Sequence, residues 1–170
     1  QKEKKIQEAA GKQLLLLGLF LDRMRIRKED YMENLPYLYG QLLKAADELH
    51  ELYCDVVRDG QKPQELVGSS MFRSVSESPL RMLPVLSQRI MPYYAWAKVY
   101  RRKSDNENRK HAARAGWLYR VCEQITTRLW NSQTVPSRFN DEEKAQLFIG
   151  YLASFSEKEM KLEEESNHES

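Results

Sequence analysis

The sequence predicts an all-α protein, a helical bundle of about five helices with a proline-kinked third helix. Apolar residues recur at helical spacing over almost the whole chain, and no segment alternates apolar and polar residues as a half-buried strand does. The seven glycines and six prolines are few, and several of them, such as Gly60 and Pro63, fall where this periodicity stops. A chain of 170 residues can bury one core. We therefore predict one domain over residues 1–155 and an acidic tail at residues 156–170, expected to be disordered because its apolar content is low.

The first two predicted helices differ in their apolar surfaces. Residues 1–28 are expected to be largely helical, and residues 14–21 are apolar on nearly every side, which is typical of a helix buried centrally or in an assembly. Asn34 can cap the second helix, and Gly60 and Pro63 end it. Its apolar stripe consists of Leu38, Leu42, Ala45, Leu49, Leu52 and Val56.

The middle of the chain holds a predicted loop and a helix that contains prolines. Residues 68–78, GSSMFRSVSES, are small and rich in hydroxyl groups, so we expect a loop. Ser78 followed by Pro79 predicts the start of the third helix, which extends to about Lys103. Pro84 and Pro92 each remove a hydrogen bond from this helix and are expected to bend or divide it.

The last third of the sequence predicts two more helices. We expect a polar turn at residues 104–106 and the fourth helix at residues 107–131. Its core stripe is predicted to be Ala115, Leu118, Cys122, Ile125 and Leu129, beside a stripe that carries basic residues. The fifth helix begins in NDEE, where Glu143 follows Asn140 by three residues and predicts a capping box.

Positive charge is concentrated between Arg81 and Arg128. This segment has eleven basic and three acidic residues, a local charge of +8, whereas the whole chain carries +2. Spaced cations can follow a phosphate backbone without reading its sequence. The candidate nucleic-acid-binding residues are Lys98, Arg101, Arg102, Lys103, Arg109, Lys110, Arg114 and Arg120. Bases could stack on the aromatic residues of the same segment, namely Tyr93, Tyr94, Trp96, Tyr100, Trp117 and Tyr119. The alternative is that these cations are an ordinary solvated surface and the aromatics belong to the core.

No group of residues indicates catalysis. Asp47, Glu51 and Asp55 share one face at four-residue spacing, which we interpret as a solvated acidic face. Asp47 and His50 have the spacing of half a di-iron motif, but the second half is absent, so no metal or cofactor is predicted. The chain lacks nucleotide-binding and hydrolase motifs, so we predict that it is not an enzyme.

The two cysteines and the hydropathy bear on the compartment. Cys54 and Cys122 match no zinc or redox spacing and are predicted to be buried, reduced thiols in a cytoplasmic protein. No apolar run is long enough to cross a bilayer, so no membrane partner is expected.

Three stretches together resemble a known family. They are LPYLYGQLLKAADELHELY, MFRSVSESPLRMLPVLSQRIMPYYAWAK and FNDEEKAQLFIGYLASF, and the matching residues are 37–43, 76–86 and 139–151. In order and spacing they are similar to the C-terminal region of the large-subunit family of type I-C CRISPR effector (Cascade) complexes. In that family the region is also made separately as the small subunit, from an internal start in the same gene.

The resemblance implies a non-catalytic helical bundle that contacts nucleic-acid backbone and stabilises the R-loop. The implied partners are the large subunit, the repeated backbone subunit, further copies of the chain itself, the crRNA and the target DNA. A helical scaffold that binds only protein is the alternative interpretation.

Overall fold

The computed structural model describes residues 34–103, 105–131 and 135–155. These residues form five helices and no strand: α1 (Leu35–Val57), α2 (Val67–Glu77), α3 (Pro79–Tyr100), α4 (Arg109–Asn131) and α5 (Asp141–Leu152). The prediction of an all-α helical bundle is confirmed. The five helices belong to one compact unit that begins at Leu35. The helix predicted over residues 1–28 and the acidic tail lie outside the described residues. The single domain over residues 1–155 stays a prediction.

Helix α1 is the centre of this unit and packs against each of the other four helices. Its buried residues lie on almost every side, and Leu42, Leu43 and Leu49 are essentially inaccessible to solvent. Helix α5 approaches so closely that a Cβ on Gly40 or Gly150 would overlap the backbone of the other helix. Burial of an apolar surface of this kind is the main force that holds helices together.

Two helix ends follow the predicted local chemistry. Gly60 adopts φ 77° after α1, and its amide donates to the Cys54 carbonyl over 3.2 Å, so the predicted stop is confirmed. The capping box of α5 is also confirmed. The Glu143 amide donates to Asn140 Oδ1 and the Asn140 amide donates to Glu143 Oε2, both over 2.8 Å.

The loop predicted over residues 68–78 is wrong, because Val67–Glu77 is helix α2. Its serines do not disrupt the helix, since Ser70 and Ser76 donate to the carbonyls three residues earlier. Leu66 at the N-cap offers no side-chain hydrogen bond. The Asp47 carboxylate on α1 supplies one instead, and accepts from the amides of Gly68 and Ser69.

Helix α3 continues through both of its interior prolines as a single helix. Pro84 and Pro92 are exposed, and so are Leu80 and Gln88, whose carbonyls lose their usual amide donor. These carbonyls lie on the outer surface, where water can satisfy them. Pro79 starts the helix as predicted, but the Ser78 side chain makes no capping hydrogen bond.

Candidate nucleic-acid interface

The predicted basic surface lies where α3 ends and α4 begins. The connecting segment is held by the Tyr100 hydroxyl, which donates to Asn108 Oδ1 over 2.7 Å. Asp105 Oδ1 accepts from the Asn108 amide over 2.9 Å and from its Nδ2 over 2.7 Å. Because these two donors hold the charged form of Asp105, the pKa of this carboxyl lies below its usual value.

Five of the eight candidate residues are exposed cations on this segment and the adjoining helix ends. We call this set the basic junction: Lys98, Arg102, Lys103, Arg109 and Lys110. None of the five forms an ion pair with another residue in the described ranges. Their charges are therefore directed to solvent, as an electrostatic binding surface requires.

Arg101 belongs to the same segment but packs inwards. Its guanidinium lies 4.5 Å from the centroid of the Tyr119 ring, and its Nε donates to the Lys98 carbonyl over 3.3 Å. Such a cation–π contact keeps the charge while it restricts the side chain. Arg101 therefore links α3 to α4, and its replacement would disturb packing as well as charge.

Arg114 is held by two contacts. Its guanidinium lies 4.2 Å from the centroid of the Trp117 ring and forms an ion pair with Glu48 on α1. The positive charge is thus partly balanced. Arg120 is exposed, but it lies ten residues, about 15 Å, further along α4 than Lys110. The structure therefore does not bring Arg120 together with the basic junction.

Several aromatic residues that were candidates for base stacking instead stack their rings on other rings of the protein. Tyr94 stacks on Tyr119 at 4.6 Å, and Trp96 stacks on Tyr100 at 4.8 Å. Tyr93 stacks on His50 at 4.5 Å. The alternative interpretation, that these aromatics pack in the core, is correct for these three pairs. The predicted core stripe of α4 is confirmed, but Val121 on the neighbouring basic stripe is buried as well.

The acidic face predicted on α1 is wrong at Asp47. This residue is buried, where it caps α2 and accepts a hydrogen bond of 2.6 Å from the Tyr151 hydroxyl. Glu51 and Asp55 are exposed. His50 is buried, and its Nδ1 has no hydrogen-bond partner. Within the described ranges, no group of three or more His, Cys, Asp or Glu residues could hold a metal ion.

The two cysteines are free and buried, as predicted. Burial raises the pKa of the Cys122 thiol to about 12, so this thiol is protonated at neutral pH. A protonated, buried thiol is a poor nucleophile.

Sequence reasoning missed an apolar groove between α3 and α4. It has a volume of about 420 Å³, and Leu42, Ile90 and Cys122 contribute to its lining. Met91 and Trp130, which also line it, are 56% and 59% exposed. Two large apolar residues on the outer faces of amphipathic helices were the available sequence signal.

Comparisons with protein-family models, with curated proteins and with solved structures found no match to this chain. Among the described residues, no helix has the length and apolar content needed to span a membrane.

Proposed function

We propose that the chain is a non-catalytic helical small subunit of a type I-C CRISPR RNA-guided surveillance complex. In this proposal the basic junction holds the backbone of the target or displaced DNA strand without reading its sequence. The subunit acts in the cytoplasm, alongside the large subunit, the repeated backbone subunit and further copies of itself. The family assignment rests on the three sequence stretches that resemble the type I-C large subunit.

The observation that carries the nucleic-acid role is the exposure of the basic junction. Five cations lie on two helix ends and the segment between them, and none forms an ion pair with a described carboxylate, although the charge of Lys103 helps to lower the pKa of Asp105. By contrast, Arg138 and Lys144 both form ion pairs with Glu77 at the end of α2. Unpaired, solvated cations gain most from phosphate, because binding releases the counterions of the nucleic acid.

The free-energy balance of R-loop formation explains how a subunit that binds DNA without catalysis can have a function. Opening a DNA duplex against a guide RNA is nearly balanced in free energy. Backbone contacts to the opened strands can therefore decide whether the R-loop persists. With about four phosphate contacts, the affinity for single-stranded DNA should fall with a log–log salt slope of roughly −3.

The test is charge reversal at the basic junction, in the variant R109E/K110E, within the assembled complex. We expect R-loop formation to fall at least tenfold at physiological salt, and the salt slope to become shallower by about 1.4. The matched control is R73E/R81E, which changes the same charge on exposed residues of α2 and early α3. Unchanged R-loop formation in R109E/K110E, or an equal loss in the control, would reject the proposed interface.

A helical scaffold that binds protein is the second candidate function, and the apolar groove favours it. Exposed Met91 and Trp130 can bury apolar surface against a partner without any nucleic acid. The variant M91Q/W130Q should then impair assembly of the complex while the isolated chain unfolds at the same urea concentration. If assembly is unaffected and only R109E/K110E is defective, the scaffold function is rejected.

A further inference from the structure

The last described residues anchor the chain beside the basic junction. Phe155 packs edge-on against Trp117 of α4, with the ring centroids 5.3 Å apart. Lys44 Nζ lies 5.1 Å from the centroid of the Phe155 ring and donates to the Ala153 carbonyl over 2.5 Å. These contacts fix the last described residue, Phe155, beside α4.

Trp117 lies between the Phe155 contact and the basic junction on α4. The Arg114 guanidinium covers the Trp117 ring, and Lys110 lies one turn before Arg114 on the same face of α4. Lys110 is therefore only seven residues, about 10 Å along the helix axis, from Trp117. The segment that follows Phe155 starts within two or so helical turns of the basic junction.

That segment carries the opposite charge. Residues 156–170 contain six glutamates and two lysines, a net charge of −4, whereas the whole chain carries +2. Ten extended residues span up to about 35 Å. This reach exceeds the distance along α4 between Trp117 and Lys110. The glutamates that follow Phe155 can therefore reach the basic junction.

We propose that residues 157–169 of this chain dock on the basic junction and occupy it when no nucleic acid is bound. Single exposed ion pairs are weak. Here, however, the acidic segment is tethered at Phe155, and a short tether gives an effective concentration in the millimolar range. Several weak pairs can then be populated together. The docking itself is independent of the proposed function, and only its effect on nucleic-acid binding rests on that function.

Docking makes the acidic segment a competitor of the phosphate backbone. Neutralising part of it should tighten binding of single-stranded DNA by about threefold to tenfold at low salt, since two or three exposed ion pairs change a binding constant by that order. The gain should disappear near 1 M salt, where the Debye length is only about 3 Å.

The first experiment uses the full 170-residue chain without nucleic acid. Amide chemical shifts are compared between the parent chain and E163Q/E164Q. We expect changes at residues 98–114, on both sides of the turn. The control D141N/E142Q makes the same change in charge at the opposite end of α5 and should leave these amides in place. An unchanged junction in E163Q/E164Q, or the same changes in the control, overturns the docking.

The second experiment separates docking from the proposed function. Binding of a single-stranded oligonucleotide is measured for the same three proteins at several salt concentrations. Tighter binding by E163Q/E164Q alone supports competition at one surface. If the amide chemical shifts of the junction change in E163Q/E164Q but none of the three proteins binds the oligonucleotide at any salt concentration, docking stands and the proposed function fails. If the parent chain and E163Q/E164Q bind the oligonucleotide equally well and the amide chemical shifts are unchanged, the docking fails and the proposed function stands.

Discussion

At the scale of single residues, the cations of α3 and α4 differ in what holds them. Lys98 and Arg109 extend into solvent, whereas Arg101 lies on Tyr119 and Arg114 lies on Trp117. A stacked guanidinium contributes packing as well as charge. Replacement of a stacked arginine therefore mixes two effects, and a test of electrostatics should use the exposed residues of the basic junction.

His50 predicts a pH dependence of stability. Burial, helped by the positive charge of Arg58, lowers the pKa of this imidazole below its ordinary value, and nearby Asp47 opposes the shift only in part. The unfolded chain therefore binds the proton more readily than the folded chain does. The stabilising contribution is complete above about pH 6.5 and is lost as the pH falls from there through the folded-state pKa.

The measurement is urea unfolding at pH 7.5 and pH 5.5 for the parent chain and for H50F. We expect the parent to lose more stability than H50F between these pH values. At pH 7.5 the variant should lie within about 1 kcal/mol of the parent, because Phe keeps a ring against Tyr93 and removes a buried Nδ1 that has no partner. An equal loss in both proteins would contradict the prediction.

At the scale of elements, α2 depends on a cap that another helix supplies. Asp47 on α1 accepts hydrogen bonds from the Gly68 and Ser69 amides of α2 and from the Tyr151 hydroxyl of α5, so one carboxylate joins three helices. Gly68 allows the approach, since a Cβ there would overlap the Leu43 carbonyl. The position of α2 is therefore fixed by contacts that lie far away in sequence.

Replacing Asp47 with Ala should lower the free energy of unfolding by about 2–4 kcal/mol, because the buried Gly68 amide and the partly buried Ser69 amide and Tyr151 hydroxyl lose their acceptor. Y151F removes one hydrogen bond and should cost only about 1 kcal/mol. Hydrogen exchange should show that the amides of α2 lose protection first in the Asp47 variant. Stability within 0.5 kcal/mol or so of the parent would show that water replaces the carboxylate at no cost.

At the scale of the whole molecule, α1 joins the described helices into one packed unit. It contacts every other described helix, and its buried residues join one continuous core with those of α3 and α4. Cys54 on α1 and Cys122 on α4 are both buried in this unit and serve as reporters of its opening.

Both thiols should be inert to a maleimide reagent in the native protein and become reactive at the same urea midpoint. The reason is that neither helix can expose its thiol while the shared core persists. The single-cysteine variants C54A and C122A allow each thiol to be followed separately. Maleimide reactivity is compared at urea concentrations that are the same fraction of each variant's own unfolding midpoint. Separate midpoints for the two thiols would show that α1 and α4 open independently.

Much of this architecture could be predicted from the sequence because the signals are local. Helical periodicity, Pro79, the stop at Gly60 and the Asn140–Glu143 box each depend on residues within about one turn of each other. The core stripe of α4 follows from the same periodicity. Clustering of cations near the end of α3 and the start of α4 also follows, since the two helices are consecutive.

The tertiary structure alone decided which polar residues are used internally. Asp47 reads as a surface acid, yet it caps a helix that begins about twenty residues later, and Arg114 reads as a free cation, yet it pairs with Glu48, 66 residues away. Met91 and Trp130 form a groove only because α3 lies against α4. The sequence by itself determined α1, α3, α4 and α5 and the charge of their residues, whereas it predicted a loop where α2 lies. Packing decided which charges stay available to a ligand, because partners distant along the chain leave no periodic signal in the sequence.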